Sequence, residues 1–206
     1  MWIWLLIPFG YLIGSLSMAI IVCRLLGLPD PRTIGSRNPG ATNVLRIDDP
    51  KAKPAALITF LGDIIKGLIP ILIARQLGAD ETLQALVGLA AIIGHLFPIF
   101  FGFQGGKAIA TSLGVLTGFS WLLGAIVLST WLIVLAISRI SSLAALIAAA
   151  LVPVYTMVLT PDPAYIAASF VIFVIAIWRH VDNIKRLVKG DEHRFGNKKG
   201  SENSHQ

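Results

Sequence analysis

The chain has a single cysteine, Cys23, among 206 residues, and it lies within an apolar run. A disulfide framework and a thiolate metal site are therefore both excluded. Charge is scarce as well: 14% of residues are charged and 55% are hydrophobic, giving a mean hydropathy of +0.78. A soluble domain of this length has no core large enough to hide so much apolar surface, so the bilayer is its natural solvent. The four histidines, His95, His180, His193 and His205, are too scattered for a zinc motif, and no metal is expected. No basic segment precedes the first apolar run and no small-residue cleavage site follows it, so that run is expected to be a retained span. Internal repeats are missing too.

What is present is a series of long apolar segments. A span needs roughly 20 mostly apolar residues, and the candidates are Trp2–Leu26, Ala55–Leu77, Leu83–Phe103, Trp121–Ile137, Leu143–Leu159 and Ala164–Trp178. Ala108–Gly118 is apolar but short: a seventh span or a re-entrant half-helix, helical in either case because backbone polar groups cannot be left open to lipid. Seven spans place 15 of the 17 Lys and Arg residues on one face, leaving only Lys66 and Arg75 inside the second span. The positive-inside rule then puts that face in the cytoplasm. The expected fold is an all-α, polytopic membrane bundle of seven transmembrane helices, N-terminus outside and C-terminus cytoplasmic. Residues 1–190 read as one transmembrane domain and 191–206 as a polar, mobile cytoplasmic tail.

Three polar segments share the basic face. Gly35–Arg46 packs six donor-bearing side chains and two glycines into twelve residues. Ser36, Asn38, Thr42 and Asn43 supply neutral donors, Gly40 allows close backbone approach, and Arg46 can fork onto phosphate or carboxylate. The second segment, Gly102–Lys107, opens directly into an apolar helix. Glycines before a helix start offer free N–H groups and a positive dipole end to an anion, so Gly105, Gly106 and Lys107 are candidate ligands. It is not a Walker A loop, because Phe101 stands where the first glycine belongs and Ala108 follows the lysine. The third segment, Arg179–Arg186, places His180 and Asn183 on one helical face. An ordinary polar turn serving topology is the alternative for each; the density of donors in the first puts function ahead there, and the three together read as an anion site. Asp63 and Lys66 lie i, i+3 within the second span, roughly 12 Å deep by helix rise, and at that depth charges pair and face protein or water. They either stabilise the bundle or shape the pocket. His95 and Pro98 read as turning the chain.

Taken together, Gly35–Arg46, Asp63 with Lys66-Gly67, Gly94-His95 with Phe97-Pro98, Gly105-Gly106-Lys107, and His180 with Asn183-Ile184 and Arg186 resemble the bacterial acyl-phosphate-dependent glycerol-3-phosphate acyltransferases, the PlsY family. The motifs run in the family order from Gly14-Ser15 to Arg186. One departure is visible: this chain has Ala108 where the family usually has a glycine after the lysine. The resemblance implies transfer of a fatty acyl group from acyl phosphate to the 1-hydroxyl of sn-glycerol 3-phosphate, giving lysophosphatidic acid and inorganic phosphate, the first acylation step of phospholipid synthesis. It implies Ser36, Arg46, Lys107, His180 and Asn183 as the catalytic set. Asn38, Gly40, Asn43, Gly105, Gly106 and Ser142 follow as substrate-binding residues. It also implies no metal or other cofactor, membrane lipid as surroundings, no nucleic acid, and a functional link to a soluble enzyme that makes acyl phosphate. The expected location is the bacterial inner membrane, with the site facing the cytoplasm. The H-x4-D pair of soluble-type glycerolipid acyltransferases is missing, since Phe100, Lys185 and Lys198 stand five residues after His95, His180 and His193. A covalent acyl-enzyme is not expected, because Ser36 has no evident base beside it in sequence. His180 or a substrate phosphate serves as the base. Two other readings use the same residues: an exchanger for a phosphorylated metabolite, or a structural protein whose basic loops hold anionic lipid.

Overall fold

The computed structural model describes residues 2–195, and the tail beyond Phe195 lies outside them. All regular structure among the described residues is helical. The helices are α1 (Leu6–Gly14), α2 (Met18–Leu26), α3 (Ala41–Val44), α4 (Ala52–Gln76), α5 (Glu81–Leu96), α6 (Ile109–Phe119), α7 (Trp121–Ser138), α8 (Ser141–Leu159), α9 (Pro163–Arg179) and α10 (Val181–Lys189). Four stretches are each long and apolar enough to cross a bilayer: α4, α5 with its 3₁₀ extension to Phe101, α7 and α8. The number rises to six if the bent pairs α1–α2 and α9–α10 each count as one span.

The first apolar run, expected as one helix, is broken at Ser15–Ser17 with a bend of 40°. A break in apolar surroundings strands backbone carbonyls, and the carbonyl of Leu16 accepts from Lys66 Nζ at 2.7 Å. Lys66 in turn pairs with Asp63 at 2.8 Å, and both side chains are buried. The intramembrane charges thus fill a gap in a neighbouring helix, and Asp63 also reaches the cavity wall at the end of the bundle. Close helix approach does the rest. A Cβ on Gly14 of α1 would sit 2.0 Å from the carbonyl oxygen of Ala91 on α5, and one on Gly114 of α6 would sit 2.0 Å from that of Ile64 on α4. Small residues are what allow backbones this near in a bilayer, where dispersion replaces the hydrophobic drive.

The short segment forms α6, which is enclosed by its neighbours and buried along most of its length. Its last carbonyls, Gly118 and Phe119, accept from Arg75 at 2.6 and 3.1 Å, so the helix end is satisfied by a side chain from the far end of α4. At the opposite end of the bundle gather the starts of α4, α6 and α8 and the ends of α5, α7 and α9. The loops between them border a large cavity there. Asp191–Phe195, expected to belong to a mobile tail, folds back over that end instead. Gly190 turns the chain with φ +77°, and the Phe195 amide donates to the Arg139 carbonyl at 2.8 Å.

Candidate active site

The first loop is built around Asn43, which is buried. Its Nδ2 donates to the carbonyls of Pro31 at 2.7 Å and Ile34 at 3.1 Å, while its Oδ1 accepts the Ser36 amide at 2.9 Å. Both donors and one acceptor position of Asn43, expected to meet substrate, are thus engaged inside the loop, and the residue fixes Ser36. Gly35 turns at φ +51°, and a Cβ there would sit 2.5 Å from Asn43 Oδ1. The loop then presents Ser36, Asn38, Gly40, Thr42 and Arg46 to the cavity.

The second loop rests on His95, whose ring is buried at the end of α5. The Gly106 amide donates to the His95 carbonyl at 3.2 Å, so it is spent within the protein rather than held out to an anion. A Cβ at Gly106 would lie 2.3 Å from His95 Nε2, and one at Gly105 would lie 2.0 Å from the His95 carbonyl oxygen. Packing against His95 therefore suffices to require both glycines. His95 Nδ1 meets Thr111 Oγ1 at 3.1 Å and stands 3.6 Å from Asp63 Oδ1, which ties the loop to the buried charge pair. Beyond the glycines Lys107 points into the cavity, and Ala108 follows at φ +61°.

The third group comes from the α9–α10 break, where the chain bends by 60°. His180 is buried, with Nδ1 2.8 Å from the Ala176 carbonyl. That contact makes Nδ1 the protonated nitrogen and leaves Nε2 as an acceptor. Asn183 accepts from Lys107 Nζ through Oδ1. Its Nδ2 donates to Glu192 at 2.6 Å.

Glu192 is the residue that sequence reasoning missed. Its carboxylate also accepts from Ser142 Oγ at 2.8 Å and Arg186 Nε at 2.7 Å. Burial works against its charge, but the hydrogen bonds from Asn183, Ser142 and Arg186 outweigh that and hold the carboxyl below its usual range. Lys107 is pulled down to about 8, chiefly by burial; Glu192 pushes it up, while Arg186, Arg179 and Arg46 push it down. Arg46 is lowered by burial, with Glu192 opposing. Glu192 thus sits among Arg46, Lys107, Arg179 and Arg186, and the cavity wall carries more Lys and Arg than Asp and Glu, an excess that favours a multiply charged anion.

The cavity has a volume of about 960 Å³. From the polar end it continues between α4, α6, α7, α8 and α9 as an apolar groove lined by Phe60, Leu116, Leu128, Trp131, Ala148 and Val152, among others. Phe60 of α4 and Trp131 of α7 stack across it with ring centroids 6.2 Å apart. An anion site that opens into a groove of this size suits an amphiphile with a charged head and a long apolar chain. Ser36, Arg46, Lys107, His180, Asn183, Asn38, Gly40, Asn43 and Ser142 all line the cavity; Gly105 lines a smaller neighbouring one, and Gly106 packs beneath.

A family profile described as glycerol-3-phosphate acyltransferase matches residues 4–190. A protein of that name from Thioalkalivibrio sulfidiphilus is 56% identical over 189 residues, 92% of each chain. Another, from Methylococcus capsulatus, is 53% identical over 95% of this chain and 98% of its own. Among solved structures, the crystal structure of PlsY (YgiH), an integral membrane glycerol 3-phosphate acyltransferase, in its glycerol 3-phosphate form superposes with a TM-score of 0.86. Identity is 37%, over 93% of this chain and 94% of that one. Its lysophosphatidic acid form gives 0.85 at 36% identity, with the same coverage. Profile, relatives and superposition agree with one another and with the geometry: this chain is an integral membrane protein that belongs to the glycerol-3-phosphate acyltransferase family.

Proposed function

We propose that this protein transfers a fatty acyl group from an acyl phosphate to the sn-1 hydroxyl of glycerol 3-phosphate, releasing lysophosphatidic acid and inorganic phosphate. The observation that carries the reading is the junction of a cation-rich pocket with an apolar groove at Lys107. Acyl phosphate is already a mixed anhydride, so the alcohol can attack it directly. The glycerol oxygen forms the new ester bond to the acyl carbon, and the bond from that carbon to the phosphate oxygen breaks. The electron pair leaves on phosphate, where Lys107 and Arg46 meet the developing charge. Either Nε2 of His180, its tautomer set by Ala176, or a substrate phosphate oxygen takes the hydroxyl proton; burial and Lys107 lower the His180 ring to about 4, which favours the phosphate. Asn183 holds Lys107, and Ser36 and Asn38 orient the second phosphate. No covalent acyl-enzyme forms; a labelled acyl group retained by the denatured protein is the contrary result.

We further infer seven crossings, with the N-terminus outside, the polar end of the bundle in the cytoplasm and the protein in the bacterial inner membrane. Arg75, at the far end of the 25-residue α4, caps α6. That contact, with the burial of α6 among its neighbours, supports α6 as a short crossing. A soluble enzyme then supplies the acyl phosphate from the cytoplasm. Purified protein given labelled glycerol 3-phosphate with either acyl phosphate or acyl-CoA tests the donor: lysophosphatidic acid appears with the first and not with the second. Label that crosses sealed vesicles without being acylated makes the protein an exchanger.

A further inference from the structure

Helix α10 follows the 60° bend at His180 and presents different faces along its nine residues. Asn183 and Arg186 line the cavity, where both hydrogen-bond to Glu192. Val181, Ile184 and Val188 recur at i, i+3 and i+7 and form an apolar stripe. Val181 is 41% exposed and Val188 84%, so the bundle leaves that stripe uncovered. Lys185 and Lys189 flank it and are exposed. Among the described residues Lys189 pairs with no carboxylate, and Lys185 stands 3.8 Å from the exposed Asp182.

The neighbouring surface points to what covers the stripe. Val174 and Trp178 of α9, one turn apart, are 61% and 52% exposed, and in an integral membrane protein such a face meets lipid. Trp178 ends the span, and its ring centre lies 6.2 Å from that of Phe97 at the end of α5. Aromatic rings gather at the boundary between membrane and water. The stripe begins at Val181, three residues beyond Trp178, and so continues the apolar surface of the span. A helix bent out of a span, apolar on one side with lysines along its edge, rests in the headgroup region and attracts anionic lipid.

Building on the proposed reaction, we infer that α10 is seated on the leaflet surface at the polar end of the bundle, held by anionic headgroups beneath Lys185 and Lys189, and that turnover depends on this seat. Nine residues are too few for a helix to stand alone in water. The opposite face of this one carries Asn183, which holds Lys107. Lipid charge therefore acts on the site through the placement of Asn183, and Lys185 and Lys189 are positioning residues.

The test uses purified full-length protein in nanodiscs of phosphatidylcholine, alone or mixed with phosphatidylglycerol. An environment-sensitive dye on Val188→Cys reads the seat without turnover. Cys23 is buried and stays in place, and wild type treated with the dye sets the background. In the mixed lipid the Val188→Cys dye is quenched by spin-labelled lipid and shielded from iodide, whereas the same dye on Asp182→Cys is reached by iodide. In turnover, phosphatidylglycerol raises wild-type kcat about fivefold, the factor for one lysine near an anionic surface at about 1 kcal/mol. The double change Lys185→Gln with Lys189→Gln keeps the wild-type rate in phosphatidylcholine and loses most of the rise, while Lys185→Arg with Lys189→Arg retains it. Iodide that reaches the Val188→Cys dye in both lipids, as on a surface meant for a soluble partner, overturns the seat. So does an equal rise in wild type and the glutamine variant. A shielded dye in protein that forms no lysophosphatidic acid in either lipid overturns the proposed reaction and leaves the seat standing.

Discussion

Lys107 Nζ donates to Asn183 Oδ1, joining two residues 76 positions apart in sequence. One follows the glycine loop after α5, the other lies in the first turns of α10, and their bond closes the polar end of the cavity. The Asn183 amide also donates to Glu192, so one side chain couples the central cation to a carboxylate.

With its pKa drawn down to about 8, Lys107 carries its charge below that pH and loses it above. The chemistry needs the ammonium, so kcat/KM holds at neutral pH and falls as pH rises through about 8. Glu192 pushes that pKa up, so Glu192→Gln moves the fall to lower pH. Rate profiles of the two proteins check this. A fall displaced to higher pH in the variant contradicts the assignment.

Ala108 occupies a left-handed conformation at φ +61°, which costs an L-residue about 1 kcal/mol or more relative to glycine. Ala108→Gly is expected to raise the melting temperature in detergent without loss of activity. A lower melting temperature shows that packing of the buried methyl outweighs the backbone strain.

The Asp63–Lys66 pair is buried, and removing one partner of such a pair costs about 3–5 kcal/mol because the other charge is left uncompensated. Lys66→Met also frees the Leu16 carbonyl. This variant should melt markedly lower, and the double change Asp63→Leu with Lys66→Met should recover part of the loss. Equal melting of the single variant and wild type removes the pair from the bundle's support.

Ala148 is buried along the groove wall on α8. Ala148→Phe fills the space that a long chain needs, and each displaced methylene is worth about 0.8 kcal/mol. KM for palmitoyl phosphate should rise far more than KM for a short-chain acyl phosphate. A proportional rise for both places the acyl chain elsewhere.

The all-helical apolar bundle and the polar loops that meet at one end of it were legible because hydropathy and glycine placement are local properties of the chain. Lys107, Asn183, Arg46 and His180 do meet around one cavity. What stayed hidden depends on contacts between distant segments. Glu192 lies in a stretch whose composition reads as solvated tail, and only the turn at Gly190 returns it to Ser142 and Asn183. The break in the first apolar run is invisible to hydropathy, since what sustains it is a lysine 50 residues away. Asn43 looked like a ligand by residue type, yet its amide is occupied by the Pro31 and Ile34 carbonyls. Gly105 and Gly106 were read as anion ligands, whereas the side of the loop they offer to His95 explains them equally well.

In the proposed reaction Lys107 is the cation on which both substrates converge. The most direct measurement compares wild type with Lys107→Ala, both purified as folded protein, for lysophosphatidic acid formed from acyl phosphate and labelled glycerol 3-phosphate. The expected result is steady product from wild type and none above background from the variant. Turnover by Lys107→Ala near the wild-type rate contradicts the account.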